Sequence, residues 1–169
     1  MKSNNTLDNL EELGIGSSFT NELCDMLATT TLFREFSHED LEKLSHYVHA
    51  YRAPKGTKIL VEGEQDDYLC ILIKGKVNVF KKDGKSREKQ LATILEGATL
   101  GEISFVDGFP HSASAVTAGK ADIVILTKHN LDKLSEKFPK LATQILWRIA
   151  WQLCVRVRQT TGILVDHIN

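Results

Sequence analysis

Residues 100–115 read Leu-Gly-Glu-Ile-Ser-Phe-Val-Asp-Gly-Phe-Pro-His-Ser-Ala-Ser-Ala, and they lie between two strand-like patterns. The middle of this segment can form one short helical turn. Gly101 lets the backbone approach a bound group closely, and free N–H groups at the start of a helix attract anions. The Glu102 carboxylate can accept hydrogen bonds from two sugar hydroxyls, and the Ser112 hydroxyl can donate one. The segment therefore predicts a cradle for a phosphorylated sugar.

Short segments of alternating apolar residues surround this stretch on both sides. Turn residues separate them, among them Gly63, Gly75, Gly97 and the Asp83-Gly84 pair, which predicts a hairpin tip. Several short strands with regular turn spacing indicate a sandwich or barrel of antiparallel strands. The alternating segments are residues 59–61, 69–73, 77–79, 91–95, 113–115 and 123–125.

Two helical regions are expected before the strands. Residues 1–30 predict an N-terminal helical arm, with two short amphipathic helices on either side of residues 14–18. The arm packs on the sheets or, as the alternative, holds a partner. Ser37, followed three residues later by Asp40, resembles a capping box. Leucines at helical spacing then predict a helix over residues 38–49.

A long C-terminal helix is expected after a short one that Pro139 ends. From Leu141 to Ile168 one apolar stripe recurs at spacings of three and four residues. Trp147 and Trp151 lie off this stripe, so more than one face of the helix is apolar. A second copy of the same helix covers such a face in a parallel, coiled-coil-like homodimer. The alternative is a helix wrapped on its own sheets.

Composition places the chain among globular proteins of one domain. It has 169 residues, of which 42% are hydrophobic and 25% charged, with a formal net charge of −1. This balance gives no electrostatic case for nucleic-acid binding. The absence of a long apolar run and the polar N-terminus predict no membrane segment, no secretory signal and a cytoplasmic location. The three cysteines are expected to be reduced thiols: Cys24, Cys70 and Cys154.

The sequence shows no motif for a catalytic site or a metal site. The six histidines form no His-x-His pair on a strand pattern. Ser112 and His111 are neighbours, and adjacent strand residues point to opposite faces, so they do not pair as nucleophile and base. No Gly-rich nucleotide fingerprint occurs. We therefore expect a protein that is not an enzyme and needs no cofactor or metal.

Residues 32–165 resemble the cyclic-nucleotide-binding domain family. The resemblance implies a mainly β fold, an eight-stranded antiparallel jelly-roll barrel with flanking helices. It divides the chain into an N-terminal helical arm (1–30), the nucleotide-binding barrel with its entry helix (31–130) and C-terminal lid and dimerisation helices (131–169). The motifs that carry it are Leu32-Phe33-x-x-Phe36-Ser37, Val61-Glu62-Gly63-Glu64, Ile73-x-Gly75-x-Val77, and Gly97 before Leu100-Gly101-Glu102.

The resemblance also implies the ligand-binding residues. Glu102 would hold the ribose 2′-hydroxyl, and Ser112 with backbone N–H groups near Gly101 would hold the cyclic phosphate. The family has an arginine where this chain has His111. Arginine is always charged and forks toward phosphate oxygens, so its loss is expected to weaken binding about ten- to a hundredfold. The full predicted set in this segment is Gly101, Glu102, Ile103, Ser104, His111, Ser112 and Ala113.

The C-terminal helix resembles the dimer helix of the bacterial cAMP receptor family. The matching residues are Leu146, Arg148, Ala150, Gln152 and Arg156, followed by Thr160-Thr161. In that family a Thr-Ser pair at this point contacts adenine, one residue from the opposite subunit, which implies the same role for Thr160 and Thr161. We expect Arg148, Arg156 and Arg158 to be structural. The family's DNA-binding domain would begin where this sequence stops, so DNA is not an expected partner.

Two functions of different class follow. The first is a regulatory sensor that binds a cyclic nucleotide, cAMP first and cGMP as the alternative, and signals through its C-terminal helix to an effector protein. The second is a degenerate domain that no longer binds nucleotide and serves as an interaction or dimerisation module. His111 divides the two hypotheses.

Overall fold

The computed structural model describes residue 7, residues 10–14 and residues 17–168, with the side chains of 17–18 and 162–168 left aside. Nine strands and five helices lie in these described residues. The strands are β1 (Glu11–Glu12), β2 (His49–Ala53), β3 (Lys58–Leu60), β4 (Tyr68–Lys74), β5 (Val77–Lys82), β6 (Glu88–Ile94), β7 (Thr99–Leu100), β8 (Ser114–Thr117) and β9 (Ala121–Thr127). The helices are α1 (Ser17–Ala28), α2 (His38–Ser45), α3 (Glu102–Asp107), α4 (Lys128–Lys137) and α5 (Pro139–Ile168).

The strands form two antiparallel sheets. One has the order β1-β2-β9-β4-β7 and the other the order β3-β8-β5-β6. The expected fold class is confirmed: mainly antiparallel sheets with flanking helices and a long C-terminal helix. Strands β2 to β9 account for the expected eight, and β1 adds a two-residue edge to β2.

Apolar cores lie on both faces of the five-stranded sheet. In β4, Leu69 and Ile71 pack with the helices, whereas Cys70 and Leu72 face the other sheet. The alternation follows from the two-residue repeat of a strand. Because both faces are covered, Tyr68 through Leu72 are all buried, and the strand reads as a continuous apolar run.

The N-terminal arm differs from the expectation. Around Leu10 and Leu13 the predicted helix is wrong, because Glu11–Glu12 pair with β2 and the Leu13 amide donates to the Ala50 carbonyl at 2.9 Å. The second arm helix is present as α1. The parts of the arm at residues 1–6, 8–9 and 15–16 lie outside the described residues.

Helix α2 begins where the sequence predicts and ends early. The Ser37 hydroxyl oxygen accepts from the Asp40 amide at 3.1 Å, which confirms the N-cap. The helix ends at Ser45 rather than residue 49, because the chain from His49 onward joins the sheet as β2.

Helix α5 begins on the core and continues beyond it. Ile145 and Ile149 are fully buried, whereas Val157, on the same expected stripe, is 65% exposed. Trp147 and Trp151 are 72% and 48% exposed. The apolar side chains Trp147, Trp151 and Val157 of α5 are therefore not covered by its own sheets. Among the described residues, no helix combines the length and apolar character needed to cross a membrane.

Candidate ligand-binding site

The segment between β7 and β8 folds as the sequence predicts. Gly101 turns the chain into α3 with a φ of +82°, and a Cβ there would meet the Tyr68 carbonyl oxygen at 3.3 Å. A glycine fits this left-handed conformation without steric cost. Helix α3 lasts six residues and ends at Gly108, whose amide donates to the Ser104 carbonyl at 2.9 Å.

A cavity of ≈ 330 Å³ lies beside this segment. Its size falls in the range of small-molecule sites. All seven site residues predicted between 101 and 113 line it: Gly101, Glu102, Ile103, Ser104, His111, Ser112 and Ala113. Ser114 and Arg156, the latter from α5, also line the cavity. Its other walls are apolar residues of the sheets: Leu60, Val79, Leu91, Ala92, Ile94, Leu100 and Ala115.

Glu102 is a buried carboxylate whose charge is paired. The residue is 2% exposed. Arg156 reaches it from α5 with two contacts, Nη2 to Oε1 at 2.8 Å and Nη1 to Oε2 at 3.1 Å. A carboxylate removed from water needs such compensation, since an unpaired buried charge is strongly destabilising. The pair therefore fixes Glu102 at the cavity wall and ties α5 to the site.

Thr99 extends this pair into a small buried network. Its hydroxyl contacts Glu102 Oε1 and lies 3.1 Å from Gln152 Oε1. A hydroxyl has one hydrogen to donate, so Thr99 serves one of the two acceptors at a time. The Thr99 carbonyl accepts from Arg156 Nη2 at 3.0 Å. Gln152 of α5 thus meets the site through Thr99, whereas Arg156 contacts both Thr99 and Glu102.

Arg156 makes a contact that the sequence does not predict. The sequence predicts a structural role on the dimer helix, and the ion pair with Glu102 is compatible with that role but also places Arg156 at the cavity wall. Its partner is 54 residues away in the chain, and no local spacing indicates that distance. The only signal in the sequence was the matching arginine in the helix that the cAMP receptor family shares.

His111 is buried and directed toward an acidic loop. Its side chain is 2% exposed, and Nε2 lies 3.2 Å from Asp66 Oδ2. The backbone of His111 makes two hydrogen bonds to the loop before β4. The His111 carbonyl accepts from the Gly63 amide at 2.9 Å, and the His111 amide donates to the Glu64 carbonyl at 2.8 Å. The residue lines the cavity, but one ring nitrogen is already engaged by a carboxylate.

The mouth of the cavity is more open. Ser112 is exposed, and its carbonyl accepts from Lys81 Nζ at 2.5 Å. Ile103 and Leu91 are 53% and 60% exposed, so apolar side chains border the opening.

Thr160 and Thr161 do not reach the cavity in the single chain. Both are exposed, and their hydroxyls donate to the carbonyls of Arg156 and Val157, each at 2.9 Å. Neither is among the residues that line the cavity. Their contact with a ligand stays a prediction.

Cys70 lies in the strand next to the Glu102 end of the cavity. Burial raises the pKa of its thiol, and the nearby Glu102 carboxylate raises it further. The thiol is therefore neutral and unreactive, as expected for core packing. In the described part of the chain, no group of three or more His, Cys, Asp or Glu side chains is arranged to hold a metal ion.

Comparisons with known proteins agree with this geometry. The model of the cyclic nucleotide-binding domain family matches residues 51–138. The chain is 28% identical, over 144 residues, to a CRP-like cAMP-activated global transcriptional regulator of Mycobacterium tuberculosis. It is 26% identical, over 122 residues, to the cyclic AMP receptor protein of Thermus thermophilus. These alignments cover 85% and 72% of this chain.

The likeness to a solved structure extends over nearly the whole chain. A crystal structure of a cyclic nucleotide-binding domain from Methylobacillus flagellatus aligns with a TM-score of 0.83 and 30% identity. The alignment covers 99% of this chain and 97% of that one. The two curated relatives are longer, and the alignments span 62% and 56% of their lengths. The jelly-roll architecture is thereby confirmed.

Proposed function

Since this chain belongs to the cyclic nucleotide-binding domain family, we propose that it is a regulatory sensor which binds cAMP in the cavity beside α3. cGMP is the alternative ligand. The proposed sensor is cytoplasmic, catalyses no reaction, and has neither DNA nor membrane among its partners. It transmits the presence of ligand through α5 to an effector protein.

The Glu102–Arg156 pair carries this proposal. A ribose hydroxyl is a good donor to a carboxylate held at the wall of a cavity of this size. Both contacts of Arg156 end on the two oxygens that a ribose would use. Ligand binding at Glu102 therefore competes with or reorganises the contact that holds α5. A ligand shifts an equilibrium only through different affinities for two states, and this contact supplies such a difference.

The exposed face of α5 supports a homodimer. Trp147, Ala150, Cys154 and Val157 are exposed and recur at alternating spacings of three and four residues. That repeat is the seam of a coiled coil. In the proposed dimer the two α5 helices pair in parallel, which brings Thr161 of each chain toward its partner.

Calorimetric titration tests the ligand. We expect cAMP to bind, cGMP to bind more weakly, and 2′-deoxy-cAMP to lose affinity because Glu102 has no 2′-hydroxyl to accept from. A melting curve of the same sample shows whether the protein is folded. Absence of heat at millimolar cAMP and cGMP, from folded protein, would contradict the sensor proposal.

Sedimentation tests the dimer. Wild type is expected to sediment as a dimer, and Trp147→Glu as a monomer because the substitution places a charge in the seam. Lys133→Glu, on the exposed side of α4, is the control for an added acidic residue. A monomeric wild type, or a dimeric Trp147→Glu, would show that α5 does not form the interface.

One observation favours a second function. Where the family has an arginine this chain has His111, and that ring is engaged by Asp66 rather than free to meet a phosphate. In this second proposal the domain keeps its fold and dimer seam but binds no nucleotide. A folded, dimeric protein that gives no heat with either nucleotide is the result that would select it.

A further inference from the structure

The charges near the cavity leave the phosphate of a cyclic nucleotide without an obvious partner. Such a ligand brings one negative charge into the site. Arg156 is committed to Glu102 by two contacts. His111 contacts Asp66. Arg156 and His111, the basic side chains that line the cavity, thus each already contact an acidic partner.

Lys81 places a further cation at the Ser112 end of the cavity. It is the fifth residue of β5, and its Nζ lies 2.5 Å from the Ser112 carbonyl oxygen. Ser112 itself lines the cavity, and a serine's carbonyl and hydroxyl oxygens lie within a few ångströms of each other. The ammonium is therefore close to the place where the Ser112 hydroxyl would meet a phosphate.

The surroundings of Lys81 leave its charge available. Its acidic neighbour is Glu62, whose Oε1 lies at the long distance of 3.8 Å. The other oxygen of Glu62 is engaged by the Lys82 amide at 3.0 Å. The Lys81 side chain is 48% exposed, and a lysine stem is flexible. A small rotation would bring Nζ to a ligand at the cavity mouth.

We infer that Lys81 supplies the phosphate-pairing cation that His111 does not. The inference rests on the proposed function, because it assigns a residue to the same site. An ammonium has three hydrogens to donate. It can keep its bond to the Ser112 carbonyl and give another to a phosphate oxygen. Lys81 on β5 and the Ser112 hydroxyl in the segment that leads into the neighbouring strand β8 then hold the phosphate between them.

Glu62 makes the inference sharper, because its carboxylate offsets part of the Lys81 charge. Glu62→Gln removes the negative charge and keeps an oxygen that can accept from the Lys82 amide. We therefore expect this substitution to strengthen cAMP binding a few-fold, provided that Lys81 is present. In the Lys81→Met background the same substitution is expected to give no gain.

Calorimetric titration with cAMP tests the assignment. Lys81→Met is expected to weaken binding about tenfold, the order of one charge-assisted hydrogen bond. Lys82→Met, which removes the same charge from the next residue, is the control and is expected to stay within twofold of wild type. Lys81→Arg is expected to retain binding. In a His111→Arg background, Lys81→Met is expected to cost less, because an arginine then supplies the cation.

The failures of the inference and of the proposed function are distinguishable. If wild type binds and Lys81→Met equals Lys82→Met, Lys81 is not the cation and the sensor proposal stands. If wild type shows no binding of cAMP but His111→Arg binds it, Lys81 does not replace the missing arginine, although the cavity can still accept the nucleotide. If neither binds, both proposals fail. Melting curves of each variant confirm that the compared proteins are folded.

Discussion

The two ends of the cavity are built differently. At the α3 end, the Glu102 carboxylate is 2% exposed and held by Arg156 and Thr99. At the β8 end, Ser112 is exposed, and His111 is occupied by Asp66. The first end would meet the sugar of a cyclic nucleotide and the second its phosphate.

Desolvation explains the difference. A buried carboxylate without a partner is strongly destabilising, so the α3 end must be organised before any ligand arrives. At the β8 end only His111 is buried, and Asp66 satisfies it; the exposed Ser112 and the half-exposed Lys81 can be satisfied by water, so they need not be held in place before a ligand arrives. The comparison teaches that the polar groups of the α3 end are held in place without a ligand, whereas Ser112 and Lys81 at the β8 end are not; in the proposed sensor the first end would be ready for the sugar and the second would form its phosphate contacts on binding. Four substitutions or measurements test that view.

Loss of the Glu102 carboxylate is expected to have the largest effect. Glu102→Ala should weaken cAMP binding more than about a hundredfold, since the variant loses hydrogen bonds to a charged acceptor. Glu88→Ala removes an exposed carboxylate from β6 and is the matched control. Titration calorimetry measures both. If Glu102→Ala kept an affinity within threefold of wild type, the α3 end would not be the sugar site.

A gain is expected at the other end. His111→Arg should strengthen cAMP binding about ten- to a hundredfold by restoring a permanent charge with a planar fork of donors. The same calorimetric series measures it. Weaker or unchanged binding would show that the arginine at position 111 stays paired with Asp66, and that other residues hold the phosphate.

Arg156 tests whether the α3 end is organised without ligand. Arg156→Met leaves the Glu102 carboxylate buried without its counter-charge. Because the arginine is 44% exposed, we expect a loss of about 1 kcal/mol, which lowers Tm by about 2–4 °C in a chain of this length. Arg158→Met removes an exposed arginine from the same helix and should leave Tm unchanged. Equal melting temperatures for the two variants would mean that the ion pair does not stabilise the free protein.

Thiol labelling gives the smallest effect and probes how tightly the core beside the site is closed. Burial raises the pKa of Cys24 and Cys70, and thiols react as thiolates. Cys154 is exposed in the single chain but lies in the proposed dimer seam, so one thiol per chain is expected to react with a thiol-specific reagent at neutral pH in the monomeric Trp147→Glu variant, where the seam is open. Cys154→Ser should abolish the rapid reaction. Rapid labelling of a second thiol would show that the core next to Glu102 opens.

The local parts of the fold and site could be predicted from the sequence. The glycine that allows a close backbone approach at position 101, the short helix after it and the hairpin tip at Asp83-Gly84 between β5 and β6 all depend on neighbouring residues. Strand β2 was missed because its residues Tyr51 and Arg52 are only half-buried, so its apolar alternation is weak. The two-residue strand β1 depends on a partner edge and has no period of its own.

The side-chain partners could not be predicted, because they are distant in the chain. Arg156 meets Glu102 across 54 residues, and His111 meets Asp66 across 45. Spacing rules describe neighbours on one helix or strand and carry no information about such pairs. The resemblance to the family indicates that residues 101–104 and 111–113 gather at the cavity, as they do. It also implies that His111 takes the place of a phosphate-binding arginine, whereas its ring contacts Asp66.

The first part of helix α5 is held in the core at Ile145 and Ile149, and the longer remainder extends beyond Ile149. The helix has 30 residues, which give it a length of about 45 Å. Among its described side chains, the last fully buried apolar one is Ile149, about 28 Å from the end of the helix at Ile168. A tilt of about 10° around Ile149 would displace that end by about 5 Å. In the proposed sensor, a rearrangement of the Arg156–Glu102 contact that tilted α5 by this amount would move the end of the helix by about one helical turn.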